Sequence, residues 1–254
     1  RAFEQRRPGV FAMPTQDPLV FLQTLLTKDF GAHPHPPSEA GRAKARAPLV
    51  ITLSRDYGSL GEEIAQRLSQ CLGIVVYDQE ILNRVAKRAK TDKFFFKGHD
   101  EQTSAALTSF LHNLVSGKSG TLQDYRRHLA EVVADIARTD GIIIGRGAHL
   151  ILGARRALRI RVVGSRQICA QRIASACHIP VPEAEQRVVE INKKRHESVI
   201  ELYGASVERC SLDHAPNFDL IINTDRISVE GAVGIVMLAI REAGFALEAF
   251  PSKA

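Results

Sequence analysis

Short apolar runs and amphipathic stretches alternate along the chain from residue 49 onward, and their lengths decide what each predicts. The β-branched run LVITL (49–53) predicts a strand, and residues 61–72, with apolar positions recurring on one side, predict a helix. IVVY (74–77) predicts a second strand, and DQEILNRVAKRAK, starting at Asp78, a second helix. After an irregular stretch over 91–120 come a helix at about 121–138 and a third strand, GIIIG (141–145), running straight into RGAHLIL. LRIRVV (158–163) and FDLIIN (218–223) predict the fourth and fifth strands, each leading to a helix. Between them, 166–203 reads as two helices broken near 179–182. Strands alternating with helices are the signature of a parallel sheet with crossover helices. The predicted fold is therefore a doubly wound, five-stranded α/β domain whose ligand lies at the carboxyl ends of the strands.

Upstream the pattern changes. GAHPHPPSEAGRAKARAP (31–48) has no apolar periodicity and is rich in Pro, Ala, Gly and Arg, which marks a linker. Before it, DPLVFLQTLLTKDF (17–30) predicts one short amphipathic helix, with Asp17 as N-cap, Pro18 at its first position and Leu19, Leu22, Leu25 and Leu26 on one side. The chain thus divides into an N-terminal extension and linker (1–48) and one domain (49–254). The extension's helix is expected to dock on that domain or on a second subunit, which leaves a homo-oligomer open.

Composition narrows the partners. At 254 residues and 44% hydrophobic content the chain can bury a sizeable core. No apolar run reaches the length of a membrane span. Arg1, Arg6 and Arg7 are not followed by an apolar h-region, so a secretory leader is not expected and the cytoplasm is the expected location. A net charge of +6 suits an anionic partner. Nucleotides fit better than nucleic acid, because basic stretches with interleaved aromatics are missing and Trp is absent. Cys71, Cys169, Cys177 and Cys210 show no zinc-type spacing, and His99, Asp100, Glu101 and His112 show no ligand spacing, so no protein-built metal site is expected.

The candidate chemistry begins in SRDYGSLGEEIA, the turn after the first strand. Gly58 and Gly61 permit close backbone approach, and the helix that follows points free N–H groups at the turn, so Ser54, Arg55, Tyr57, Gly58, Ser59, Gly61, Glu62 and Glu63 form a candidate anion-binding loop. Against the phosphate-loop pattern G-x-x-x-x-G-K-[ST], however, Asp56 stands at the first glycine, Glu62 at the lysine and Glu63 at the hydroxyl position. A plain strand-turn-helix connection with two carboxylates in a helix's first turn reads equally well. Arg146, between two glycines at the end of the third strand, faces the same crevice and suits phosphate, because a guanidinium grips two oxygens at once. Asp78 and Arg84 look toward the crevice from the second helix, or Arg84 is an exposed helix arginine. Lys193, Lys194 and Arg195 lie on a helix that is a candidate mobile cover or a solvated charged face.

Taken together, these segments resemble the cytidylate kinase-like family of P-loop proteins, relatives of the nucleoside monophosphate kinases. The resemblance runs over about 49–243 and is carried by SRDYGSLGEEIA, Tyr77-Asp78, Asp100-Glu101, IIIGRGAHLIL, a D-K-x-R lid motif falling on Asn192-Lys193-Lys194-Arg195, and FDLIINT. It implies a phosphotransferase that uses ATP and Mg²⁺ and acts on a nucleoside monophosphate, CMP or dCMP first, with a helical lid over a P-loop kinase sheet. Arg55 then takes the missing lysine's place on the loop, Asp78, Arg84 and Arg146 hold the acceptor, and Arg195 reaches the transferring phosphoryl group. Arg55, Arg146 and Arg195 are the expected catalytic residues. The chain departs from the family's pattern at Leu60, which replaces a small residue, at Asn192, which replaces the lid aspartate, and at Glu62, a carboxylate beside the expected triphosphate. The Glu62-Glu63 pair, Asn192 and the linker-tethered N-terminal segment favour a second reading, a nucleotide-binding regulatory module that transfers nothing.

Overall fold

The computed structural model describes residues 47–91, 119–204 and 209–245. Five strands, β1 (Val50–Arg55), β2 (Val75–Tyr77), β3 (Gly141–Ile144), β4 (Leu158–Val163) and β5 (Leu220–Asn223), form one sheet in the order β2-β3-β1-β4-β5. Every pairing is parallel, with Leu53 beside Ile144 on one flank of β1 and beside Ile160 on the other. Parallel neighbours need long crossovers, and helices supply them. In chain order these are α1 (Gly61–Leu72), α2 (Gln79–Thr91), α3 (Ser119–Ile136), α4 (Ala148–Leu152), α5 (Arg166–Cys177), α6 (Val181–Tyr203) and α7 (Val229–Glu242).

Because side chains alternate across a strand, the apolar runs feed two cores. On one face Ile51, Leu53, Ile142 and Val162 meet Ile64 of α1 and Val236 of α7. On the other, Val50 and Ile143 meet Ile81 of α2, Leu129 and Val133 of α3 and Ile151 of α4. This is the doubly wound sheet that the strand and helix alternation predicts. The third strand ends at Ile144, within a residue of the expected end, and the apolar HLIL after the glycine-flanked turn, to which the sequence assigns no element, forms the short α4.

Helices α5 and α6 stand apart from both layers. Cys169, Ala170 and Ala174 face Ala184 and Val188, and such small side chains let the two helices pack closely. Ser165 caps α5 by accepting from the Ile168 N–H. The far end of α6 rejoins the main core through Val199 and Tyr203. No described helix is long and apolar enough to cross a membrane. The helix expected over 17–30, the linker up to residue 46 and most of the irregular stretch, with Asp100 and Glu101, lie outside the described residues.

Candidate active site

β1 delivers Ser54 and Arg55 to the carboxyl end of the sheet, where the chain turns through 56–60 into α1. The loop is anchored from several sides. Asp56, at the first-glycine position, turns its carboxylate back beneath the sheet to Arg161 of β4, at 2.6 Å. Its N–H donates to the Val162 carbonyl. The Ser59 hydroxyl donates to the carbonyls of Asp56 and Val162, and Arg172 of α5 donates to those of Gly58 and Thr224. Gly58 is required for packing, since at φ 82° a Cβ there would come within 2.7 Å of the Cys169 carbonyl oxygen. Leu60 adopts φ 63° and offers α1 no side-chain cap, so the first N–H groups of that helix are left for an external acceptor.

Arg55 crosses the crevice. A Cβ on Gly61 would lie 2.5 Å from the Arg55 Cβ, and one on Gly145 would lie 2.8 Å from its Nη1, so the guanidinium passes over one glycine and up to the other. There its Nε donates to Glu62 Oε1 at 2.7 Å, and its Nη2 lies 3.8 Å from Asp78 Oδ2. Glu62, at the lysine position of the phosphate-loop pattern, is thus the counter-ion of Arg55.

α6 reaches the same loop from above. Asn192 Oδ1 accepts the Tyr57 N–H at 2.8 Å, and Arg195 Nη1 donates to the Arg55 carbonyl at 3.0 Å. The Arg195 guanidinium also lies 5.9 Å from the centre of the Tyr57 ring and 3.7 Å from Glu62. Burial, then the neighbouring charge of Arg55, pushes it down to about 10, so it stays cationic at neutral pH but crowded by a like charge. An anion between the two arginines would relieve that repulsion. The Asn192 amide ties α6 to the loop's backbone, whereas the sequence suggested only a lost charge.

Gly145, Arg146 and Gly147 all adopt positive φ, 69°, 57° and 65°. A non-glycine residue held there costs roughly 1–2 kcal/mol and persists only where its surroundings enforce it. Tyr203, fully buried at the end of α6, supplies the constraint. Its hydroxyl donates to the Arg146 carbonyl at 2.9 Å, and a Cβ on Gly147 would lie 2.1 Å from its ring. Burial pushes the Tyr203 phenol well above its ordinary range, which keeps the hydroxyl a donor.

The β1 loop, the glycine-flanked turn and α6 border a cavity of about 450 Å³, lined among others by Ser54, Arg55, Asp78, Arg146 and Arg195. The other expected loop residues, Tyr57, Gly58, Ser59, Gly61, Glu62 and Glu63, are not among the residues that line it. Arg84 is not brought in: it pairs with Glu80 at 2.7 Å, lies 5.1 Å over the Tyr77 ring and lines a separate groove with Lys87 and Arg88.

Residues 50–226 match the cytidylate kinase-like family. The chain belongs to that family. Among solved structures, an uncharacterised protein from Eubacterium ventriosum is 18% identical, with a TM-score of 0.56 over 76% of this chain and 98% of that one, a likeness of fold. A shikimate kinase from Bacteroides thetaiotaomicron is 12% identical (TM-score 0.41, 76% and 98% covered). Another, from Acinetobacter baumannii in complex with shikimate, is 14% identical (TM-score 0.44, 79% and 97% covered). No curated protein matches the chain.

Two cavity-side features of this cytidylate kinase-like chain were not singled out in the sequence. Tyr125 of α3 lines the cavity near Arg146, and His149 of α4 lies buried beneath Ser54. Burial, then Arg159 and Arg161, pushes the imidazole down from 6.5 to about 3. The folded protein therefore declines a proton that the unfolded chain takes up below about pH 6.5. Stability from this group is whole above pH 6.5 and falls as pH drops toward 3, by at most about 1.4 kcal/mol per pH unit. Urea titrations at pH 7 and pH 5 should differ by roughly 2 kcal/mol from this source, a difference that His149→Phe removes.

Proposed function

We propose that residues 49–254 form an ATP-dependent kinase that phosphorylates a nucleoside monophosphate, CMP or dCMP first. The observation that carries this reading is the meeting of Arg55, Arg146 and Arg195, from three separate elements, on one cavity beside the uncapped start of α1. Phosphoryl transfer needs positioning and charge stabilisation more than covalent participation by the protein, and arginines supply both.

In this reading the ATP β and γ phosphates lie on 55–62, taking the N–H groups of the loop and of the first turn of α1. The acceptor monophosphate lies between Arg146 and Arg55. An acceptor phosphate oxygen attacks the γ phosphorus, the bond from that phosphorus to the β–γ bridging oxygen breaks, and ADP leaves with the nucleoside diphosphate as product. Arg55 and Arg195 hold the charge spread over the transferring group, and α6 keeps water out. In this reading Glu62 and Asp78, the two carboxylates beside Arg55, are available to the water shell of Mg²⁺ arriving on the triphosphate. Bound there, Mg²⁺ would neutralise phosphate charge.

The test is ADP release from ATP and Mg²⁺ with CMP, dCMP, UMP, AMP or GMP supplied one at a time. Turnover with one or two acceptors is expected, and none at high enzyme concentration overturns the kinase reading. A second reading, a binding module without transfer, draws on the loop's internal satisfaction: Glu62 holds Arg55, and Asn192 holds the Tyr57 N–H. It predicts ATP binding without ADP formation. In both readings Glu62 competes with the triphosphate for Arg55. Glu62→Gln should therefore tighten Mg²⁺-free ATP binding about fivefold by calorimetry, the equivalent of a partly exposed ion pair of about 1 kcal/mol. Weaker binding would show that the carboxylate orients Arg55 rather than blocking it. The extension at 1–48 is left as a docking arm for this domain or for a second subunit, and the cytoplasm remains the proposed location.

A further inference from the structure

The floor of the cavity holds a polar pair that phosphate chemistry does not use. His149 is 2% exposed, yet it lines the cavity together with Ser54, and its Nδ1 lies 3.3 Å from the Ser54 hydroxyl oxygen. Its ring stacks on Phe218 at 4.8 Å and 25°, which fixes the plane of the imidazole. Nε2 is buried and has no hydrogen-bond partner among the described residues. An unmet buried nitrogen is costly, and structures that retain one commonly have a use for it.

The two sides of the cavity divide the labour. Arg55, Arg146 and Arg195 offer charge. The imidazole stays neutral, so His149 adds no charge on its side of the cavity and offers a hydrogen bond alone. The serine sets which kind: a hydroxyl donating to Nδ1 leaves Nε2–H as a donor, and a hydroxyl accepting from Nδ1–H leaves Nε2 as an acceptor. Leu82, Val199, Leu202 and Leu212 make the rest of this wall apolar. One hydrogen-bonding nitrogen in such a wall discriminates strongly, because an analogue lacking the matching group leaves it unpaired.

Resting on the kinase reading above, we propose that His149, set by Ser54, is the specificity-determining residue of the acceptor site, pairing with an uncharged polar group of the acceptor, a sugar hydroxyl or the edge of the base. His149→Phe keeps the ring stacked on Phe218 and removes both nitrogens. Ser54→Ala removes only the tautomer control and leaves the core packing alone.

The experiment measures, without ATP, the affinities of wild type and both variants for CMP, dCMP, UMP, AMP, GMP and inorganic phosphate by calorimetry, with thermal midpoints as fold controls. His149→Phe should weaken the preferred nucleotide about tenfold or more, leave inorganic phosphate within about twofold and flatten the differences among the nucleotides. Ser54→Ala should weaken the same nucleotide about threefold. Lost discrimination between CMP and dCMP identifies the sugar hydroxyl, and lost discrimination between CMP and UMP identifies the base edge. An unchanged preferred nucleotide, or an equal loss for nucleotides and inorganic phosphate alike, overturns the assignment. The underlying reading fails separately: nucleotide affinity that depends on His149 without any ADP formation removes the kinase and leaves the inference, whereas turnover indifferent to His149 does the reverse.

Discussion

Arg55→Ala should lower kcat/KM for phosphoryl transfer by about 10³-fold, equivalent to roughly 4 kcal/mol of transition-state stabilisation, with most of the loss in kcat. The magnitude follows from position. Arg55 is the cation that passes over Gly61, reaches Gly145 and stands between Glu62 and Asp78, so it is near both the loop and the glycine-flanked turn. Removing it leaves Glu62 with only the more distant Arg195, at 3.7 Å, so a triphosphate on the loop would meet a less well compensated carboxylate, which adds repulsion to the lost attraction. Arg55→Lys should recover little, because a point charge cannot face the carboxylate and a phosphate in two directions as a planar guanidinium does. Steady-state kinetics on variants with unchanged thermal midpoints tests this, and a loss of less than tenfold would remove Arg55 from the catalytic set.

Gly147→Ala is expected to be the most damaging small change to the fold near the site. The new methyl would meet the fully buried Tyr203 ring at 2.1 Å, at a backbone angle of φ 65° that disfavours any side chain. Overpacking and left-handed strain together cost about 3–5 kcal/mol, a large share of a domain's total stability. The melting temperature should fall by about 10 °C, and the surviving protein should lose acceptor affinity, because Tyr203 also holds the Arg146 carbonyl. Calorimetric melting and acceptor titration check the two halves, and an unchanged midpoint would show that the turn yields more easily than its contacts imply.

The sheet was legible because its strands announce themselves locally. LVITL, GIIIG and LRIRVV are short β-branched runs bounded by turn residues, and 61–72 carries a clear apolar side, so each could be read without knowing its neighbours. HLIL is assigned no element by the sequence, since a run of four apolar or ambivalent residues fits strand and helix alike; in the structure it follows a turn of three positive-φ residues as a short helix. Within the site, Arg55, Arg146 and Arg195 were found by type and motif. Arg84 was not separable from an exposed helix arginine by spacing, and its partner proved to be Glu80, one turn away on the same helix. The roles of Asp56 and Asn192 were out of reach for another reason: their partners, Arg161 and Tyr57, are 105 and 135 residues distant. His149 is signalled by nothing nearby, because its environment is assembled from Ser54, Phe218 and two arginines of β4.

α6 is a single uninterrupted rod that holds the β1 loop at Asn192 and Arg195 and the glycine-flanked turn at Tyr203. Eleven residues of helix make a lever about 16 Å long between those holds. A ligand that lifts one end must tilt the other, so occupancy at the two ends is energetically linked, and by thermodynamic reciprocity each ligand alters the other's affinity by the same factor. Were a ligand bound at each end, the presence of one would be registered in the binding constant of the other.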